Sequence, residues 1–141
     1  MASSSLSSST NTMSISIKIS QACESGKKFA QLFYEKLNKS RHTMGQLFHD
    51  SATLIWNGNF VNGKGNILEF YGNLPIIDTT LLSIDAQPAS LQISAEKTSI
   101  LVICNGKMCF GGKQTQCFNE SFMLTAEGNV WKIVTDTYRN Y

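Results

Sequence analysis

Apolar residues in the first third of the chain recur with helical spacing. Between residues 20 and 37 they fall at steps of three and four, and lysine, glutamine and glutamate fill the other positions. This period predicts an amphipathic helix that begins near Ser20, a residue type suited to capping a helix start. A shorter helix is predicted to follow, with Met44, Leu47 and Phe48 on its inner side. The inward residues of the first helix are Ala22, Gly26, Phe29, Ala30, Phe33 and Leu37.

A strand, a tight turn and a helix are predicted in residues 52–75, ATLIWNGNFVNGKGNILEFYGNLP. The strand ends at Trp56, and Asn57-Gly58 predicts a hairpin turn because both residue types tolerate positive φ. Apolar residues at helical spacing then predict a helix, which Pro75 ends. Those residues are Ile67, Phe70, Tyr71 and Leu74.

The rest of the chain predicts strands separated by turns that contain glycine. Asn105-Gly106 lies inside one of them and predicts a bulge that bends a single long strand. Helices first and strands afterwards favour an α+β domain, with a curved antiparallel sheet wrapped around the helices as a cone. The four predicted strands cover residues 82–86, 98–110, 117–126 and 130–141.

The alternation of side chains predicts that this sheet is apolar on both sides. The helices of a chain of 141 residues cover only one of those sides. An uncovered apolar surface of this size indicates a protein partner. The alternative is that bulges change the alternation and return some of these residues to the core. The residues predicted on the uncovered side are Leu101, Ile103, Met123, Trp131 and Ile133.

Composition excludes several classes of function. The net charge of +2 and the scattered basic residues give no field for direct nucleic-acid binding. No apolar run approaches the roughly 20 residues that a membrane span needs. The cysteines Cys23, Cys104, Cys109 and Cys117 have no C-x2-C spacing and no nearby histidine. We therefore expect reduced thiols, no metal site and no cofactor.

The serine-rich start of the chain differs from the rest. Residues 1–19 are predicted to be a disordered tail, because such side chains bury too little surface to offset chain entropy. Met13 offers an alternative start. The folded domain is predicted to cover residues 20–141.

The order of elements and several motifs resemble the nuclear transport factor two family. The motifs are the segment 52–75 quoted above, IDAQP at 84–88, LVICNGKMCFGGKQTQCFNESFMLTA at 101–126 and VWKIVTDTYR at 130–139. Within the family they are most similar to the export-subunit branch, whose members partner the TAP-type messenger RNA export receptor. The resemblance implies the cone-shaped, cystatin-like fold, with its sheet face paired against a domain of the same fold.

The same resemblance implies a non-catalytic subunit of a heterodimer that supports messenger RNA export. Such a complex shuttles between nucleus and cytoplasm and contacts pore proteins rich in Phe-Gly repeats. An alternative from the family is a homodimeric import carrier of Ran in its GDP form. In that branch a glutamate follows the tryptophan, and acidic residues precede the strand that begins near Phe118. Here Asn57 follows Trp56 and residues 111–116 contain no acid, which argues against Ran-GDP.

One partner-binding residue is implied by the resemblance. Arg139, in the motif DTYR, matches the family's arginine on the pairing face. The resemblance implies that it pairs with a carboxylate of the receptor, for which a planar guanidinium is suited. The alternative is a surface arginine near the end of the chain, of little energetic consequence.

An enzyme is the remaining alternative, since related folds host dehydratases and isomerases. Such enzymes place titratable groups deep in the cone. His42 and His49 fall at the ends of the predicted second helix, where a polar or capping role is expected. Asp136 and Tyr138 are the one inward pair that invites a test, and burial of Asp136 would raise its pKa. No catalytic residue is assigned from the sequence.

Overall fold

The computed structural model describes residues 2–89 and 99–141, and the side chains of residues 16–89, 99–126 and 128–141. The predicted order of elements is confirmed. The helices are α1 (Ala2–Lys39), a short 3-10 helix (Arg41–Leu47) and α2 (Lys64–Gly72). The strands are β1 (Phe48–Trp56), β2 (Asn59–Asn62), β3 (Ile77–Pro88), β4 (Ser99–Phe110), β5 (Gln116–Glu127) and β6 (Val130–Asn140). The α+β class is therefore as expected.

All six strands belong to one sheet, in the order β2-β1-β6-β5-β4-β3. Each neighbouring pair is antiparallel except β1 and β6, which run parallel. The parallel pair corrects the expectation of a wholly antiparallel sheet. It arises because the chain leaves β2 through α2 to the far edge, and β6 returns beside β1 in the same direction.

The first helix begins at Ala2 rather than near Ser20. Serine disfavours a helix only weakly, so nothing in this segment forces the backbone to stop. Among the side chains that the structure describes, from residue 16 onward, Ile17 is 54% exposed and Ala22 is the first that is buried. The division of the chain at residue 20 into a tail and a domain stays a prediction.

The Asn57-Gly58 turn has the predicted conformation. Both residues have positive φ, 48° and 84°, and they join Trp56 directly to its cross-strand partner Asn59. A two-residue turn with this geometry matches the right-handed twist of the flanking strands. The turn therefore fixes which residues of β1 and β2 face each other.

Gly106 allows β3 and β4 to approach each other closely. β4 is one continuous strand, as predicted, but the extra residue lies on β3, where the register shifts between Leu81 and Ser83. A Cβ on Gly106 would stand 2.2 Å from the Thr80 carbonyl oxygen. The sequence located the irregularity correctly and assigned it to the wrong strand of the pair.

The core lies between α1 and one side of the sheet, called here the inner face. Phe33 of α1 packs against Phe122 of β5 with ring centroids 4.6 Å apart. Full burial of aromatic and aliphatic side chains of this kind stabilises the fold by about 1.5 to 3 kcal/mol each. The fully covered inner-face residues of β4 to β6 include Ile100, Val102, Phe118, Phe122, Leu124 and Ile133.

A bulge in β6 corrects the predicted positions of Trp131 and Ile133. Met123 pairs with Thr135, but Leu124 pairs with Ile133, so β6 contains one extra residue, Val134. Because this residue reverses the alternation, Ile133 is fully buried in the core and Trp131 packs against its margin. Both residues belong to the inner face and leave the predicted partner-binding set.

Candidate functional site

The side of the sheet turned away from α1, called here the outer face, is crossed by two rows of paired residues. Alternation along each strand places these side chains opposite to the buried ones. One row contains Gln87, Leu101, Met123, Thr135, Thr53 and Asn62. The other contains Asp85, Ile103, Ser121, Thr137, Ile55 and Phe60.

Leu101, Ile103 and Met123 lie on the outer face, as the alternation predicted. All three are partly exposed, whereas their sequence neighbours Ile100, Val102, Phe122 and Leu124 are fully buried. Their role in binding stays a prediction. The structure places these three residues on the side of the sheet on which they were predicted.

A depression of about 250 Å³ lies at the centre of the outer face. Its wall includes Leu101 and Met123, and three small hydroxyl side chains complete it: Ser121, Thr135 and Thr137. The depression is therefore apolar on one side and weakly polar on the other. A bulky side chain of a partner could occupy it without leaving a charged group buried.

Two further apolar residues extend this surface and were missed from the sequence. Ile55 and Phe60 are cross-strand partners in the β1–β2 hairpin and are 36% and 66% exposed. The signal was present: Ile55 alternates with the buried Leu54 and Trp56, and the two-residue turn sets Phe60 opposite it.

Arg139 is exposed on the outer face, opposite Asn119. Within the described residues it has no ion-pair partner, so its guanidinium is available to a partner molecule. The neighbouring amides are ordered: Asn119 Nδ2 donates to Asn105 Oδ1 at 2.9 Å, and Asn105 Nδ2 donates to Ser83 Oγ at 3.3 Å. Arg139 therefore stands beside a fixed polar row at the rim of the apolar surface.

The inner face contains a buried polar cluster. Tyr34 Oη donates to Glu120 Oε1 at 2.7 Å, and Tyr71 Oη donates to Asp136 Oδ2 at 2.6 Å. Burial raises the pKa of Glu120 well above its ordinary value, and the charge of Asp136 raises it further. Burial also raises the pKa of Asp136. Glu120 was missed from the sequence, although it alternates with Phe118 and Phe122.

Asp136 and Tyr138 face inward as predicted, but solvent does not reach them. Asp136 is 0% and Tyr138 1% exposed. Trp56 stacks on Tyr138 with ring centroids 3.8 Å apart and planes 10° from parallel. Trp56 is thus a core anchor of the hairpin. Phe118 also stacks on Tyr138, with ring centroids 5.7 Å apart.

Amide groups occupy the end of the sheet where the import carriers were expected to have acids. Asn57 Nδ2 donates to Asn140 Oδ1 at 2.6 Å, and the Asn140 backbone N–H donates to Asn57 Oδ1 at 3.0 Å. Asn140 Nδ2 also donates to Gln116 Oε1. The two segments that lack acids are therefore linked to each other by neutral hydrogen bonds.

Neither a membrane-spanning helix nor a cluster of metal ligands is found in the described parts of the chain. No helix within residues 2–89 or 99–141 is long and apolar enough to cross a membrane. The same residues contain no group of three or more His, Cys, Asp or Glu side chains placed to hold a metal ion.

Comparison with known proteins identifies the family. The chain is 37% identical over 125 residues to the mouse NTF2-related export protein 2, covering 86% of this chain and 88% of that protein. Among solved structures, it is similar to nuclear transport factor 2 from Cryptosporidium parvum, with a TM-score of 0.73 and 24% identity, covering 88% of this chain and 95% of that one.

The fold is also shared with a proposed dehydratase of the NTF2-like family from Streptomyces avermitilis, with a TM-score of 0.69 and 16% identity, covering 86% of this chain and 97% of that one. A likeness at this identity concerns the fold alone. The sequence profile of the nuclear transport factor 2 (NTF2) domain matches residues 25–140, and with the fold and the export-protein relative it establishes that the chain belongs to the nuclear transport factor 2 domain family.

Proposed function

We propose that this chain is a non-catalytic subunit that supports nuclear export of messenger RNA by forming a heterodimer with a TAP-type receptor. The observation that carries the proposal is the outer face, where Leu101, Ile103 and Met123 remain partly exposed around a depression. Partial exposure of several large apolar side chains on one sheet is what an interface core requires. The export name of the mouse relative favours this process.

The partner is a receptor domain of the same fold, applied to the outer face. The complex shuttles between nucleus and cytoplasm and reaches pore proteins rich in Phe-Gly repeats as a unit. Nucleic acid is bound by the larger partner, since this chain has a net charge of only +2.

Arg139 supplies the polar anchor of this interface. It is exposed, has no ion pair within the described residues, and stands at the rim of the apolar rows. A receptor carboxylate can accept two parallel hydrogen bonds from its guanidinium, which lysine cannot reproduce. Ile55 and Phe60 extend the contact on the hairpin side.

The two alternatives have less support. An enzyme of this fold needs solvent-accessible titratable groups, whereas Glu120 and Asp136 are 1% and 0% exposed. A carrier of Ran-GDP needs the acidic features that are replaced here by Asn57 and by residues 111–116.

Co-expression with the receptor's NTF2-like domain, followed by size-exclusion chromatography, tests the proposal. The wild-type chain should elute as a one-to-one complex. Leu101→Arg should abolish co-elution, because it places a charge in the apolar surface. Leu32→Arg is the matched control, since Leu32 is an exposed leucine on α1. Co-elution of folded Leu101→Arg chain would overturn the assignment of the outer face.

Arg139→Ala and Arg139→Lys test the polar anchor in a pull-down titration. We expect the complex to bury this charge pair, and loss of one partner of a buried pair weakens binding by about 2 kcal/mol or more. Arg139→Lys should recover little of that loss. Unchanged affinity for both variants would remove Arg139 from the interface while leaving the apolar surface in place.

A further inference from the structure

The polar cluster of the inner face joins four elements through two buried carboxyl groups. Tyr34 belongs to α1, Tyr71 to α2, Glu120 to β5 and Asp136 to β6. Each tyrosine donates to a different carboxyl group, at 2.7 and 2.6 Å. The Tyr71 hydroxyl also lies 3.4 Å from Glu120 Oε2, so a single hydroxyl reaches both carboxyl groups.

The hydrogen bonds of this cluster are complete only if one carboxyl group keeps its proton. Both carboxyl groups are buried and reach the same Tyr71 hydroxyl, Asp136 Oδ2 at 2.6 Å and Glu120 Oε2 at 3.4 Å. Two carboxylates cannot hydrogen-bond to each other, because an ionised carboxylate has no donor. Asp136 Oδ1 is buried and has no donor from any described residue. A proton on Glu120 would supply the missing donor.

We propose that Glu120 and Asp136 share one proton, carried on Glu120 Oε2 and donated to Asp136 Oδ1, and that this proton holds α1 and α2 against the sheet. With it, Tyr34 donates to Glu120 Oε1 and Tyr71 donates to Asp136 Oδ2. Every carboxyl oxygen then has a hydrogen-bond partner, which a buried network requires.

Among the described side chains, the titratable groups facing this pair from the surrounding elements are hydroxyls and a thiol. They are Tyr34 from α1, Tyr71 from α2, Cys104 from β4 and Tyr138 from β6. Burial raises the pKa of Cys104 to about 12, and burial likewise raises the pKa of each tyrosine. These groups therefore stay neutral near pH 7 and leave the charge of the pair uncompensated.

The sign of the pH dependence follows from the raised pKa of Glu120. Below its ordinary value of 4.5 the folded and unfolded chains both hold the proton, and the contribution of this group to stability is largest. Above that value the unfolded chain releases the proton and the folded chain keeps it. Stability therefore falls as pH rises through the interval between 4.5 and the raised pKa of the folded state.

The Glu120–Asp136 pair also lies on the opposite side of the sheet from the depression of the outer face. Ser121 follows Glu120, and Thr135 and Thr137 flank Asp136, and all three line the depression. Loss of the proton would place two like charges side by side between β5 and β6. The strands that carry the candidate interface would be the first to be disturbed.

Carbon-13 NMR of the wild-type chain locates the proton directly. The Glu120 carboxyl carbon is expected at the shift of a protonated acid at pH 7, and the Asp136 carboxyl carbon at the shift of a carboxylate. The exposed Glu24 and Glu69 provide reference signals in the same spectrum. An ionised Glu120 at pH 7 would overturn the proposal, whatever the variants do.

Urea unfolding from pH 5 to pH 9 measures how the free energy of unfolding depends on pH. The unfolding equilibrium constant of the wild type is expected to rise about tenfold per pH unit while the folded chain holds one extra proton. Glu120→Gln should remove this slope, because an amide N–H donates to Asp136 without titrating. Glu69→Gln, an exposed control, should keep it. An equal slope in Glu120→Gln and wild type would contradict the proposal, and neither experiment involves the export receptor.

Discussion

The two faces of the sheet are formed by alternate residues of the same strands, yet they have different chemistry. On the inner face, Phe122 is fully buried against the aromatic side chains of α1. On the outer face, its neighbour Met123 borders an open depression with small hydroxyl side chains. The inner face is covered within the chain, whereas the outer face has comparable apolar residues that no helix within residues 2–89 or 99–141 covers.

This difference separates the energy of folding from the energy of association. Substitutions on the inner face should change the free energy of unfolding, because they leave cavities or unpaired polar groups in a closed core. Substitutions on the outer face should leave the chain folded and change the affinity for a partner. Neighbouring residues of one strand can therefore be assigned to opposite functions.

The largest contrast is expected between Phe122→Ala and Met123→Ala. Phe122→Ala should lower the free energy of unfolding by about 3 to 5 kcal/mol, because it removes a fully buried ring. Met123→Ala should cost about 1 kcal/mol or less, since Met123 is only partly buried. Chemical denaturation of both variants measures the difference. Equal losses of stability would contradict the division into two faces.

Gly106→Ala tests how closely β3 and β4 are packed. The added Cβ would meet the Thr80 carbonyl oxygen at 2.2 Å, so the β3–β4 pair must move apart. We expect a loss of about 1 to 3 kcal/mol. Gly65→Ala is the control, because a Cβ on this α2 residue meets no atom within 4 Å, and alanine favours the helix. Thermal unfolding that ranks Gly106→Ala as the more stable variant would refute the close approach.

Arg41→Ala tests the attachment of α2, which covers part of the inner face. The guanidinium donates to the carbonyl oxygens of Tyr71, Leu74 and Pro75 at 2.7 to 2.8 Å, which satisfies the end of the helix. Its loss should cost about 1 to 2 kcal/mol. The exposed Lys39→Ala should be neutral. Amide hydrogen exchange in α2 should accelerate in the first variant only, and unchanged exchange there would exclude this anchoring role.

Phe60→Ser should have the smallest effect on folding. Phe60 is 66% exposed on the edge strand β2, so the free energy of unfolding should change by no more than about 0.5 kcal/mol. Its affinity for the receptor domain should fall if the hairpin belongs to the interface. Calorimetric titration of the receptor domain with Phe60→Ser, and with the wild-type chain as reference, measures this change in affinity. An unchanged affinity would limit the interface to β4, β5 and β6.

The sequence predicted those features that local chemistry determines. Asn57-Gly58 specified its turn because both residues accept positive φ. The alternation of Ile100, Leu101 and Val102 specified the faces of β4, because that strand has no extra residue against β5. These features depend on neighbours along the chain, so the sequence alone contains the information.

Features that depend on tertiary structure were predicted less well. The extra residue in β6 has no local signal, and it moved Ile133 and Trp131 to the inner face. The parallel pairing of β1 with β6 joins segments far apart in the chain. Glu120 could have been found, because it alternates with two buried phenylalanines, but the Tyr71 hydroxyl that it shares with Asp136 needed the structure.

Solvent exposure of isoleucine methyl groups, measured by NMR with a soluble paramagnetic probe, tests the central claim most directly. In the free chain the probe should relax the methyl groups of Ile55 and Ile103 and spare those of Ile100 and Ile133. When the receptor domain is bound, Ile55 and Ile103 should become protected. A bound state in which they remain as accessible as in the free chain would contradict a partner on the outer face.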